Sequence, residues 1–417
     1  MSYIIVGNSA AGLFAIEEIR RHDTKSEIIV LTAEQEPSYS RCLITYFLAG
    51  EIPASQLYLR DVDFAARLNL TVVYGAEVTE IDSAHQIVRS ADGREWHYSK
   101  LLLAMGALAN KLSILGDDLP EVFTLRTMRD ALAINNILEQ GARKAIVIGG
   151  GLVSLKSAYA LRKRGLEVTV LVSSGQILSQ MLDAKAADII QEHLRANGLR
   201  FLLETEAQAI TGQNHVQGVL IAPETELDAD LVIVGKGVRP NSEKLRGFGF
   251  NIGLGLQVDS YLETNISNIY AAGDITETWD FVRQKFTVNA TWPNATTQGR
   301  IAGANMYGRQ EVYLGSLGLN SVDFFGLSAM SAGITKLLKK EAHEDWSQTE
   351  NLKMLGGLPI YRNLIWQGDV LKGFVLVGDT SQCGVLTALV KAGQPLTQTQ
   401  KNLTKGKRGT LAVGMMK

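Results

Sequence analysis

Apolar residues fall into two blocks that repeat one plan. In the first, Tyr3 to Gly7 is a compact run rich in β-branched residues, Leu13, Ile16 and Ile19 then recur at helical spacing, and Glu27 to Thr32 is a second apolar run. The pattern predicts strand, helix, strand. In the second, Lys144 to Ile148 precedes Leu152, Leu155 and Leu161 at helical spacing, Gly165 closes the helix, and Glu167 to Val172 is the next strand. Beyond about residue 316 the period changes. Ile360, Leu364 and Trp366 alternate with polar residues up to a turn at Gly368-Asp369, Leu371 to Val377 returns, and Gly384 to Gly393 reads as a short helix that Cys383 begins.

Each β-α-β block carries a glycine turn. Gly7, Ser9 and Gly12 occupy the three small positions of G-x-G-x-x-G, where the backbone can approach a pyrophosphate at a helix N-terminus. Gly149, Gly150 and Gly151 repeat the arrangement, with Ser154 at the third small position. One such turn is often only a tight bend; two in the same context point to two dinucleotides. An acid roughly 20 positions on should take the ribose hydroxyls, and Glu34 is the candidate in the first block. In the second, Val172 stands where that acid would be and no arginine follows, so Ser173 and Ser174 are left to meet either a hydroxyl or a 2′-phosphate. NAD is expected, with NADP not excluded.

Composition excludes several classes. A chain of 417 residues passes the ~250–300 at which one core stops growing, so two or three domains are expected. No apolar run nears the ~18 residues of a membrane span, and the opening "MSYIIVG" enters a strand without a basic leader, so a cytoplasmic location is expected. A net charge of −2 gives no reason to expect nucleic acid. The six histidines show no ligand spacing, and two distant cysteines make neither a disulfide framework nor a metal knuckle. Lys401, Lys405, Lys407, Arg408 and Lys417 give the end of the chain a basic tail, read as solvated or as a docking arm for an acidic partner. Cys42, in "EPSYSRCLITYFLAGEI", is the chemically ambiguous residue: a redox nucleophile if its thiolate is stabilised, a small apolar residue otherwise.

Four further segments, "YSKLLLAMGALAN", "LVIVGKGVRPN", "NIYAAGDITE" and "NATWPNATTQGRIAGANM", complete a pattern that resembles the pyridine nucleotide-disulfide oxidoreductase family. Over roughly residues 1 to 315 the order of motifs matches. The resemblance implies an α/β fold with two Rossmann-like domains and a small C-terminal α+β domain. FAD would bind a discontinuous domain of residues 1–110 and 245–315, NAD(P) residues 111–244, and residues 316–417 would form the third domain with the basic tail. It also implies the site. FAD would meet Gly7, Ser9, Ala11, Gly12, Glu34, Arg41, Cys42, Val78, Gly106, Asp274, Trp292 and Thr296. NAD would meet Gly149, Gly151, Leu152, Val153, Lys156, Val172, Ser173, Gly235 and Gly237. Asp274, the acid of A-A-G-D, would accept from ribityl hydroxyls, and a helix begun by Pro293 would turn its positive end toward the flavin.

Three departures matter. Met105 replaces the usual threonine of A-T-G, Lys156 reverses the charge of the usual glutamate, and Thr45 stands where ferredoxin and rubredoxin reductases carry a lysine. As a helical lysine, Lys156 is read either as solvated or as paired with a carboxylate. The dithiols of disulfide reductases are missing, and the terminal region is most similar to NADH:rubredoxin oxidoreductases and the flavin portion of NAD(P)H nitrite reductases. The expectation is electron transfer between NAD(H) and a protein partner: rubredoxin, or the iron-sulfur subunit of a complex such as a nitrite reductase or tungsten aldehyde oxidoreductase. Homo-oligomerisation is compatible with this. The alternatives are a single-cysteine enzyme using Cys42, of the coenzyme A disulfide reductase or NADH oxidase type, and a flavoprotein of interaction or redox sensing.

Overall fold

A computed structural model describes residues 1–337 and 345–404. The basic tail beyond Thr404 lies outside the described residues. The chain divides into two compact units, and both are discontinuous. The first gathers Met1–Asn110, Arg126–Ala131 and Val238–Ser316; the second gathers Lys111–Leu125, Leu132–Gly237 and Leu317–Lys417. Residues 317 onward, read from sequence as a third domain, thus fall in the unit that holds the second glycine turn.

The first unit is built on a five-stranded parallel sheet in the order Ile269–Ala271, Lys100–Leu103, Ser2–Val6, Glu27–Leu31, Leu70–Val73. Side chains alternate across a strand, so the two faces have different partners. Tyr3 and Ile5 join Ala11, Ala15 and Ile16 of the helix Ala10–His22 and Ala302 and Met306 of the helix Trp292–Tyr307. Ile4 and Val6 join Val78, Ile81 and Val88, which come from a three-stranded antiparallel sheet, Val78–Asp82, Ile87–Ser90 and Glu95–His97. A parallel sheet covered on both faces is what the unbroken apolar run "YIIV" requires. The two helices meet through small residues: a Cβ on Gly299 would lie 2.2 Å from Ala11 O, and one on Gly303 2.5 Å from Ala15 O.

The second unit repeats the design with the parallel order Leu199–Leu203, Glu167–Val172, Lys144–Ile148, Leu231–Val234, Val122–Phe123. It also contains an antiparallel five-stranded sheet: Leu319–Phe324, Leu327–Gly333, Val370–Val377, Leu358–Gln367, Trp346–Leu355. The turn expected at Gly368-Asp369 connects the last two strands in chain order, with Gly368 at φ 54°. Alternation there is only partial, because Tyr361 through Trp366 are all buried. Asn363 and Arg362 are covered as well, and Asn363 Nδ2 and Tyr361 Oη donate to Asp183, each at 3.1 Å, beneath the helix Ala184–Ala196 that Asp183 caps. Burial, followed by Asp183, raises the Tyr361 hydroxyl well above its ordinary pKa. Gln382 precedes the helix Cys383–Ala392, whose first residue, Cys383, is partly buried. No helix among the described residues is long and apolar enough to cross a membrane.

Candidate functional site

In the first unit the carboxyl ends of the parallel strands bring the predicted residues together. Gly7 has φ 116° and no room for a side chain, since a Cβ would lie 2.2 Å from Ala104 O; one on Gly12 would lie 2.0 Å from Gly7 O. The helix that follows has Ser9 at its cap, with no side-chain hydrogen bond to the first-turn amides. Uncapped amides at a buried helix start are a cradle for an anion, so a dinucleotide pyrophosphate fits here. Gly273 brings the Asp274 turn against the same helix, its missing Cβ 3.1 Å from Ala11 Cβ and 3.7 Å from Ala295 Cβ. Gly106 turns at φ 66°, and its carbonyl accepts from Asn241 N at 3.0 Å.

Around this turn runs a polar network that the sequence only half revealed. Arg41 is paired with Glu34, donates from Nη1 to the Arg126 carbonyl (2.8 Å) and to Tyr39 Oη (3.2 Å), while Tyr39 donates to Glu34 and accepts from Met128 N at 3.1 Å. Arg126 in turn donates from Nη2 to Asp274 Oδ2 at 3.3 Å. Glu34, expected to serve a ribose, therefore already holds two donors. Burial, and then hydrogen bonding to Glu34, raises Tyr39 well above its ordinary pKa despite Arg41. Burial alone would lower the Arg41 guanidinium, but Tyr39, Glu34 and Asp274 together raise it, so this arginine stays charged.

Tyr39 and Arg126 are the residues that sequence reasoning missed. The available signal was local: Thr127 and Asp130 cap each other at the start of the helix Met128–Glu139, and Asp130 Oδ2 also accepts from Arg126 N at 2.7 Å. That lock fixes the arginine's backbone before any ligand is considered.

Cys42 lies in a single turn, Arg41–Leu43. Its surface is open to solvent, yet it is ringed by protein, and this desolvation, followed by Asp274, lifts the thiol above its ordinary 9.0; Arg126 pulls the other way and loses. The thiol form is thus favoured at neutral pH. Alkylation of Cys42, followed by peptide mass in the FAD-loaded protein, is expected to be still accelerating as pH passes 9.0. A rate that levels off below pH ~8 would identify an activated thiolate instead.

The remaining candidates lie outside that network. Val78 is buried in the antiparallel sheet beside Leu31 and Leu103. Trp292 opens its helix and packs against the core that includes Ala11 and Ala295, and Thr296 Oγ1 donates back to Pro293 O at 3.1 Å.

In the second unit the turn Gly149–Gly151 leads into the helix Leu152–Lys163, again without a side-chain cap. A Cβ on Gly149 would meet Gly235 O at 2.4 Å, and Ser154, replacing the third small residue, donates its hydroxyl to that same carbonyl at 3.0 Å. Serine is therefore a structural substitute here: it closes the strand-to-helix contact that glycine would leave to backbone. Val172 is buried, packed where a Cβ on Gly150 would meet its Cγ1 at 2.7 Å. Val153 and Ser173 are exposed, and Gly237 turns at φ 80°. Of the two readings open to Lys156, the solvated face is the one the structure does not bear out. It is 7% exposed, its Nζ donates to Asp323 O at 3.1 Å and lies 4.2 Å from the Tyr159 ring centroid. The long stem allows burial while the ammonium finds a carbonyl and an aromatic face. Among the described residues no cluster of His, Cys, Asp and Glu could hold a metal.

Two parallel sheets, each with a glycine turn opening onto an uncapped helix, have the form of a double dinucleotide-binding fold. Residues 1–299 match the model of the pyridine nucleotide-disulphide oxidoreductase family, and the chain belongs to that family, whose members use FAD and NAD(P)H. It is an NAD(P)H-dependent flavoprotein oxidoreductase. It is 33% identical to an NADH oxidase of Methanocaldococcus jannaschii over 81% of this chain and 78% of that one. With the epsilon subunit of the NADH-dependent phenylglyoxylate dehydrogenase of Aromatoleum evansii it shares 35% identity over 79% of each. The solved structure of an NAD-dependent persulfide reductase from A. fulgidus superposes with a TM-score of 0.90 at 31% identity, covering 98% of this chain and 79% of the other.

Proposed function

We propose that this chain carries electrons between a nicotinamide nucleotide, NAD(P)(H), and a one-electron protein partner, as the flavin subunit of a larger complex or the reductase of a small iron-sulfur or rubredoxin-like protein. The observation that carries this reading is the setting of Cys42: it is a free cysteine, the other cysteine, Cys383, belongs to the other unit, and the surroundings of Cys42 raise rather than lower its thiol pKa. A nucleophilic mechanism needs the thiolate, and a disulfide mechanism needs a second sulfur nearby. Likeness to a subunit of a phenylglyoxylate dehydrogenase supports the same assignment.

In this reading the Gly7–Gly12 turn and the amides of the first helix hold the FAD pyrophosphate, Asp274 accepts from the hydroxylated chain, and Arg126 keeps that carboxylate oriented. Arg41, fixed by Glu34, Tyr39 and the Arg126 carbonyl, holds the segment before Cys42 in place. Bound FAD supplies the conversion of a two-electron hydride into single electrons. The second glycine turn takes NAD(P)H, with the amides at the start of the helix Leu152–Lys163 on its pyrophosphate.

Likeness to the NADH oxidase and the persulfide reductase supports a second reading, in which Cys42 reduces a sulfur species or oxygen. Cys42→Ser separates the two. With NADH and a one-electron acceptor such as ferricyanide or a ferredoxin, the variant is expected to keep its turnover within ~2-fold, since neither charge nor a hydrogen-bond network is lost. A fall of ~100-fold or more in turnover would transfer the assignment to the thiol mechanism.

A further inference from the structure

The strand Glu167–Val172 ends without the carboxylate that would recognise a free ribose and exclude a phosphate from its 2′ position. Val172 is turned into the core over Gly150, so it offers nothing polar to a ligand. The next residue, Ser173, is exposed, and its hydroxyl lies 3.5 Å from Lys236 Nζ. Lys236 does not come from the same loop. It follows the strand Leu231–Val234, which lies on the opposite side of Lys144–Ile148 from Glu167–Val172, so its side chain spans the mouth of the Gly149–Gly151 turn. The acid of the neighbouring loop, Glu204, points its carboxylate toward Gly175, two residues past Ser173.

We infer that Lys236 and Ser173 form a subsite for a 2′-phosphate, and that this chain accepts NADPH in preference to NADH. The inference rests on the reading of the second glycine turn as the nicotinamide dinucleotide site. An ammonium and a hydroxyl 3.5 Å apart, with Val172 in place of the acid that would end the strand, match a dianionic ester better than a neutral ribose. The arginine that usually marks such a site in sequence is replaced by a lysine arriving from a different strand, which is why the local sequence after Val172 gives no sign of it.

Calorimetry on the full FAD-loaded chain tests this with adenosine 2′,5′-bisphosphate and ADP, which share the adenosine and its first 5′-phosphate and differ in whether the second phosphate sits at the 2′ position or on the 5′ chain. The bisphosphate is expected to bind roughly 10-fold or more tightly than ADP, Lys236→Ala to remove most of that ratio, and Lys236→Arg to keep it. Ser173→Asp, which places an acid at the strand end, is expected to invert the order, and the NADPH/NADH ratio of kcat/KM should follow the same sequence. Equal weakening of both nucleotides by Lys236→Ala would place the lysine on the shared 5′-phosphate and overturn the subsite. So would a wild-type protein that binds ADP as tightly as the bisphosphate. If neither nucleotide bound at all, the reading of the second glycine turn itself would fall.

Discussion

Gly299→Leu is expected to lower the melting temperature of the flavoprotein by about 6–12 °C, the shift that about 3 kcal/mol produces in a unit of this size. Two effects oppose each other. Leucine is the better helix former and gains about 0.7–1 kcal/mol over glycine in a helix interior. Against this, the first atom of the new side chain would fall 2.2 Å from Ala11 O, a backbone atom of a helix whose Ala15 is fully buried. Neither partner is a flexible side-chain end, so the helices must separate, and the overpacking cost of about 1–3 kcal/mol for ordinary cores sets only a lower estimate. Because Ala11 belongs to the glycine turn, separation also opens the proposed FAD cradle. Thermal melts read by both flavin fluorescence and far-ultraviolet dichroism would show the loss. A variant melting within 2 °C of the parent, well under the ~6 °C expected, would mean that the helices do not meet backbone to backbone.

Asp274→Ala is expected to give a folded protein that has lost its flavin, with FAD affinity weakened by roughly 100-fold or more. The carboxylate is an acceptor only, and in the structure it is oriented by Arg126 Nη2 at 3.3 Å. Removing it takes away the proposed acceptor for the flavin's hydroxyls and leaves the Arg126 guanidinium without this anion. Arg126→Gln should lower FAD affinity less, by roughly 10-fold, because Asp274 remains. The double variant tests whether the two act together, since coupled residues give less than the sum of their single losses. Retention of full flavin by Asp274→Ala after gel filtration and dialysis would rule out this role for the A-A-G-D acid.

How much could be read in advance depended on whether the signal was local. The two glycine turns were legible because an apolar run, a small residue and a helical period sit next to one another in the chain, and the sheets follow from them. Ser154 was legible as a departure but not in its effect; only the fold shows that its hydroxyl replaces a close backbone contact at Gly235. Tyr39, Arg126 and Lys236 were not legible. Each gains its meaning from a partner far along the chain: Met128 for the first, Asp274 for the second, Ser173 for the third. Lys156 stayed open between two readings for a related reason. A helical lysine is usually solvated, and what buries this one is Asp323 and Phe324, more than 160 positions later. The strand Trp346–Leu355 gave no periodic signal because most of its residues are exposed at the rim of its sheet.

The order of strands in the first unit has a consequence for how the protein is made. Its sheet opens with Ser2–Val6 but is finished by Ile269–Ala271, and the helix that covers Ala11 and Ala15 ends only at Tyr307. A ribosome delivers about 5–20 residues per second, so an early-emerging apolar face waits many seconds for the segment that covers it. Such long-range pairings are slow to form. Chaperone holding of this N-terminal piece is therefore expected during synthesis, and the proposed FAD cradle is complete only once nearly three quarters of the chain has left the exit tunnel.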